Sequence, residues 1–175
     1  HEKVRKYAEH ASVSYKLKVL APRLDPSPKA WAWTVTEPAE GWEKSIFNDS
    51  AWARSAGGFG NELIMRDYKK AKVSTLWNTK AIWLRRTFNY TQPKEKILGA
   101  VIKMFHDEDA EVYLNGVCVV KAKGHNVDWM PFFISPEIFM TAIREGENTI
   151  AVKVVQKHGG QYFDLELALE HPKEK

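Results

Sequence analysis

With one cysteine, Cys118, in 175 residues, the chain can form neither an internal disulfide nor a thiolate metal cluster. Cys118 sits in the strand-like run "VCVV" and is expected to be a small core residue. No apolar run approaches the roughly 20 residues that a membrane-spanning helix needs, so a membrane is not an expected partner. Neither sign of charge dominates: 26 Lys and Arg against 22 Asp and Glu leave a net +4. The lysines are spread from end to end, apart from a small group at Lys69, Lys70 and Lys72. That is ordinary surface charge, with no basic stripe to bind nucleic acid. The opening "HEKVRKYAEH" lacks the apolar stretch of a secretion signal and starts with His, so the chain is expected to be a processed or excised piece.

Catalytic signatures are missing too. No Ser-His-Asp order, zinc-ligand spacing or dinucleotide fingerprint is present. "GGFGN", Gly57 to Asn61, looks superficially like a phosphate cradle, but without a Lys-Ser/Thr ending and a following helix it is expected to be a tight turn. His125 and His158 read by default as isolated surface-loop residues.

The residues present describe a folded protein: 44% are hydrophobic, 27% charged, and seven are Trp. Such a length fits one domain with a core of its own. Val4, Tyr7, Ala8, Ala11 and Tyr15 recur at helical spacing and predict a short N-terminal helix or arm. Pro22, Pro26 and Pro28 then mark a linker, which assigns residues 1–30 to an arm and linker and 31–175 to the compact domain. From Trp31 onward, short aromatic and β-branched runs alternate with turn residues: "WAWTVT", "AIWLRRTFNY", "ILGAVIKMF", "AEVYL", "VCVVKA", "MPFFI", "NTIAVKVVQ" and "YFDLELAL". They predict an all-β, antiparallel sandwich. In the last run Phe163, Leu165, Leu167 and Leu169 alternate with Tyr162, Asp164, Glu166 and Ala168, giving one buried and one mostly polar face. One connector helix is predicted in "SPEIFMTAIREG", with Ser135 as cap, Pro136 at its first position and Gly146 closing it.

Strand directions in an antiparallel meander bring alternate connections to the same end. With Asn115-Gly116 as a type I′ hairpin at the far end, four loops share the near end: residues 60–80, 106–109, 123–129 and 156–161. That end is a candidate binding rim. On it His106, Asp107, Glu108 and Asp109 offer imidazole and oxygen ligands, or paired carboxylates for glycoside hydrolysis. Four neighbours on one turn cannot all converge, so the acids are expected to turn the corner and to pair with Arg85 or Arg86, with Asp107 and Asp109 as partners in a buried ion pair. Among the tryptophans, Trp31, Trp33, Trp52 and Trp83 are expected in the core, whereas Trp77 and Trp129 flank near-end loops and are the better ligand candidates.

"FNDSAW", "GGFG", "TLWNTKAIWLRRTF", "HDEDAEVYLNGV" and "REGENTIAVKVVQKHGGQYFDLEL", in this order, resemble the galactose-binding-like jelly-roll domains that accompany glycoside hydrolase catalytic domains. The sugar-binding domain of family 2 enzymes is one of them. The resemblance spans about Trp31 to Leu169. It implies a jelly roll without catalytic residues, inside a larger, secreted, bacterial carbohydrate-active protein located outside the cell or in the periplasm. It also singles out Gln161, Tyr162 and Asp164 on a loop that leans toward the neighbouring catalytic pocket in that family. The candidate carbohydrate contacts are therefore Trp77, His125, Trp129, Gln161, Tyr162 and Asp164. The leading expectation is an accessory domain that binds carbohydrate weakly or braces a glycosidase domain of the same polypeptide. The alternatives are a purely structural interdomain module, and a jelly-roll lyase or hydrolase using the loop carboxylates. No cofactor is implied, and a structural calcium stays open.

Overall fold

A computed structural model of the chain describes residues 15–91 and 97–172. The predicted N-terminal helix falls outside these residues except at Tyr15, which opens a strand. In chain order the elements are β1 (Tyr15–Ala21), β2 (Trp31–Thr34), β3 (Ala53–Ser55), β4 (Phe59–Gly60), helix α1 (Glu62–Asp67), β5 (Thr75–Leu76), β6 (Ala81–Tyr90), β7 (Gly99–Asp107), β8 (Asp109–Leu114), β9 (Val117–Ala122), β10 (Met130–Ile134), helix α2 (Pro136–Ala142), β11 (Gly146–Val155) and β12 (Tyr162–Pro172).

Two six-stranded sheets face each other. One runs β10-β7-β12-β4-β5, with β1 also paired to β12; the other runs β3-β2-β6-β11-β8-β9. All pairings are antiparallel except β4 with β5. Alternation in sequence becomes alternation of faces. Ala100, Ile102 and Met104 of β7 and Phe163, Leu165, Leu167 and Leu169 of β12 point inward. They meet Ile82, Leu84, Ile150, Val152, Val154, Val112 and Leu114 of the opposite sheet in one core cluster. The fold is the all-β sandwich expected from the sequence.

The other face of β12 is not polar surface. Tyr162, Asp164 and Ala168 are fully buried there. A second cluster of Ile64, Ala71, Phe105 and Tyr162, with Tyr68, Val73 and Trp129 beside it, lies where α1 and its loop cover the sheet. α1 itself was not expected. Asn61, just before it, accepts a hydrogen bond from Ile64 N and caps it, so a helix does follow "GGFG". The connector helix α2 forms with Ser135 capping and Pro136 leading, as expected. Gly146, at φ +85°, begins β11 instead of closing the helix, which ends at Ala142.

Sheet pairing also reaches into the segment assigned to the arm. β1 pairs with β12 from Tyr15–Pro172 to Ala21–Leu167, because an edge of β12 is otherwise open there. Asn115 and Gly116 both have positive φ (48° and 90°), as a type I′ turn requires. Just beyond them, a register shift between Val112 and Tyr113 sets Tyr113 opposite Cys118. Cys118 is consequently exposed, not a core residue. Trp31 and Trp83 are buried, whereas Trp33 and Trp52 are half-buried, Trp33 against the core and Trp52 edge-on to Phe47.

The two arginines of "WLRR" leave β6 on opposite faces and find different partners from those expected. Arg85 bonds Asp49 at 2.8 Å and the carbonyls of Trp42, Lys44 and Phe47. Arg86 bonds Asp25 at 2.9 Å and Pro22 O at 3.0 Å. Neither reaches Asp107 or Asp109, which sit at the end of the sandwich while the arginines lie in the middle of β6. Arg85 thus gathers the long segment between β2 and β3 onto the outer face. We expect Asp49→Ala, which leaves that buried guanidinium uncompensated, to cost about 3–5 kcal/mol in urea unfolding. Arg85→Ala should in addition expose residues 35–52 to limited proteolysis, and an unchanged digestion pattern would contradict the anchoring role.

Candidate functional site

The expected near end exists, and its loops are cross-braced by side-chain amides. Asn126 N donates to His106 O, Asn126 Oδ1 accepts from His106 N, and its Nδ2 donates to Met104 O, so one side chain pins the β9–β10 loop to β7. Asn61 exchanges backbone hydrogen bonds of this kind with Gln161: Asn61 N donates to Gln161 O, and Asn61 Oδ1 accepts from Gln161 N at 3.3 Å. Gln156 Nε2 gathers the carbonyls of His158, Gly159 and Gly160 into a tight loop. Amides suit this work because each carries both donors and an acceptor, as the backbone does.

The side chains expected to touch sugar are mostly spent inside the protein. Trp77 is 1% exposed in the main core, and its indole N–H donates to Thr79 Oγ1 at 3.0 Å. Gln161, 4% exposed, donates to Thr79 O at 3.1 Å. The Tyr162 hydroxyl donates to Lys72 O beneath the α1 loop, and its ring packs on Phe105. Asp164 accepts from Leu24 N at 2.5 Å and Leu165 N at 2.9 Å, deep under the segment that follows β1. Trp129 is half-buried against Phe105, and the Arg23 guanidinium lies 4.7 Å from its ring centre, occupying one face. Of these six candidates only His125 stands fully exposed on the rim. Of the six candidates, the structure therefore brings His125 and Trp129 to accessible positions on one loop and buries the other four.

The acidic corner divides its labour. Asp109 accepts from Gly124 N at 2.7 Å and meets Lys157 at 2.9 Å and Lys123 at 3.1 Å, which hold its carboxyl well below the ordinary carboxylate range. His106 turns inward beside Phe132, and its Nδ1 lies 2.5 Å from Glu108 O. Burial lowers its pKa, so a neutral ring donating Nδ1–H to that carbonyl fits the geometry. Asp107 and Glu108, joined by a cis peptide bond, turn to the rim instead. There the ligand atoms of Asp107, Glu108 and His125 all lie within 4.8 Å of one another. His158 Nδ1 approaches Glu108 Oε1 at 3.7 Å. Burial, with Glu108 adding to it, pushes the Asp107 carboxyl up to about 6, against the pull of His125. The sequence names these acids but does not show that two of the three converge, nor that a histidine from another loop joins them. Asn61 and Asn126, the positioning residues, were missed; the only signal was an amide standing at each loop edge, in "FGNEL" and "GHNV".

No family model matches this chain, and no curated protein does. Solved structures do. A β-glucuronidase from Bacteroides uniformis superposes with TM-score 0.60 at 16% identity, over 89% of this chain and 18% of its own. A β-glycosidase from Bacteroides vulgatus gives 0.54 at 23%, over 83% and 20% respectively. A β-glucuronidase from an uncultured Clostridium gives 0.51 at 14%, over 92% and 30%. The chain thus spans less than a third of each of these proteins, and what it shares with them is the fold of one β-sandwich.

Asp164 sets a pH dependence. Burial pushes its carboxyl up to about 7, against the Leu24 and Leu165 amides and Arg86. The unfolded chain releases that proton near pH 4 and the folded chain only near 7. Stability from this group is therefore fully present below about pH 4 and lost as pH rises to about 7. Asp107 adds a smaller change of the same sign, and Asp109, whose pKa is depressed, acts only at the acid end. Melting temperature measured between pH 4 and 7 should fall in the wild type and fall less in Asp164→Asn; equal slopes would contradict the assignment.

Proposed function

We propose that the chain is a non-catalytic accessory domain of a larger carbohydrate-active polypeptide, and that its role is to brace a neighbouring domain rather than to capture sugar. The observation that carries this reading is the burial of Trp77, Gln161, Tyr162 and Asp164, whose polar atoms are engaged within the domain itself. A sugar site needs a flat aromatic face open to solvent beside unpaired polar groups. On this rim the half-buried Trp129 already carries the Arg23 guanidinium over its ring. Likeness to glycosidase structures that extend well beyond this sandwich supports an origin beside a catalytic domain. Exposed Leu17 and Val19 on the outward face of β1 offer apolar surface to such a neighbour.

Among the described residues, the rim gives no support to hydrolase or lyase chemistry. Asp109 is committed to two lysines and a backbone amide, and Asp107 and Glu108 are sequence neighbours on one side of the rim, met there by the imidazoles of His125 and His158 rather than by the opposed carboxyl that glycoside hydrolysis uses. In keeping with the glycosidase likeness, the domain works outside the cell or in the periplasm. No helix among the described residues is long and apolar enough to cross a membrane.

Titrating the chain with a panel of plant and host glycans, while following tryptophan fluorescence, is expected to give a flat response. Saturable quenching that disappears in Trp129→Ala or His125→Ala would overturn the bracing role in favour of weak carbohydrate binding. A positive readout comes from Leu17→Lys combined with Val19→Lys. This pair should leave the melting temperature of the chain nearly unchanged while lowering that of the longer polypeptide that contains it.

A further inference from the structure

The near-end rim lacks one ingredient. Asp107 is more than nine-tenths buried, yet among the described residues its carboxylate takes part in no hydrogen bond or ion pair. A buried carboxylate without a partner is costly, and the adjacent Glu108, whose side chain is 12% exposed, adds a second negative charge. The lysines that could neutralise the pair are engaged elsewhere, since Lys123 and Lys157 both close on Asp109. The groups that do approach are imidazoles: His125, with its ring nitrogen inside the 4.8 Å set, and His158, 3.7 Å from Glu108.

We propose that Asp107, Glu108 and His125 form a binding site for a divalent transition-metal ion of the zinc type, with His158 as a fourth ligand. The donor set selects the class. Calcium takes six to eight oxygens, whereas carboxylates mixed with imidazole suit zinc, manganese or cobalt. Tetrahedral zinc with bonds of about 2.0–2.2 Å sets its ligand atoms roughly 3.3–3.6 Å apart, so this set, now within 4.8 Å, draws in by about an ångström on binding, with the exposed His125 free to turn. The Asn126 side chain fixes the loop bearing His125 to β7, and His106 holds the Glu108 carbonyl from behind. A bound ion would tie the β7–β8 corner, the β9–β10 loop and the β11–β12 loop together, a link that the amides make only in pairs.

The test uses the chain stripped with EDTA and titrated with zinc, cobalt, manganese and calcium chlorides by calorimetry and thermal melting. One zinc or cobalt ion per chain with a raised melting temperature is expected, and no comparable response to calcium. Bound cobalt should show a ligand-field band in the visible spectrum. His125→Ala, at an exposed position, should leave metal-free melting unchanged, weaken zinc binding roughly tenfold or more and abolish the cobalt band. Asp107→Asn should weaken binding as well. No saturable binding of any transition ion, binding undiminished in both variants, or preference for calcium over zinc would each overturn the proposal.

Discussion

A guanidinium inside an apolar sandwich costs several kcal/mol in lost hydration unless a carboxylate meets it. Arg86 is in that position. It stands on the inward face of β6, in line with Ile82, Leu84 and Phe88, and lies over the ring of Trp31 at 5.0 Å. Its charge is met by Asp25, from the segment after β1, and by the field of Asp164 on the opposite sheet. Burial lowers its pKa and these acids oppose the change. The same contact organises the chain around it. Asp25 O receives Gly57 N, and Leu24 N donates to Asp164, so the segment fills the edge of β12 left open between β1 and β4. A Cβ on Gly57 would lie 3.2 Å from the Asp164 carboxylate and 3.3 Å from Asp25 N, so any side chain there would need these neighbours to give by a few tenths of an ångström.

At the near end the organising chemistry changes from charge to amides. Asn61, Asn126, Gln156 and Gln161 act there as extra pieces of backbone, each satisfying carbonyls or N–H groups that loops cannot pair among themselves. This explains how irregular connections stay fixed without regular hydrogen-bond ladders. It also explains why residues that look like ligand contacts in sequence are unavailable: a Gln or a Trp N–H bonded to Thr79 holds the rim in shape.

Period-2 patterning made the strands readable, as did the Asn115-Gly116 turn and the Ser135-Pro136 helix start, because each of these signals is local. Strand direction then predicted which loops meet, and they do. Partners distant in sequence were not readable. Asp49 and Asp25 lie 36 and 61 residues from the arginines they neutralise, and nothing in "WLRR" points to them. Cys118 was misplaced by a register shift of one residue, which alternation cannot reveal. The four buried site candidates were misplaced for a related reason. The sequence of β12 shows a polar outer face, but α1 and the segment after β1 lie over it, and tertiary cover leaves no mark on the pattern of the strand beneath. β1 escaped notice because "YKLKVLA" alternates with lysine, as an edge strand does.

The pairing of Tyr15 with Pro172 places the two ends of the described sandwich side by side on antiparallel strands. Chain entering through β1 and leaving through β12 passes through one corner of the molecule. Where chain continues past both strands, attachment at that one corner lets such a unit be accommodated within or beside another domain with little rearrangement. β12 runs 11 residues from that corner, and at about 3.3 Å per residue the loop rim lies roughly 35 Å from the attachment. The end carrying Asp107 and His125 lies at the opposite end of β12 from that corner.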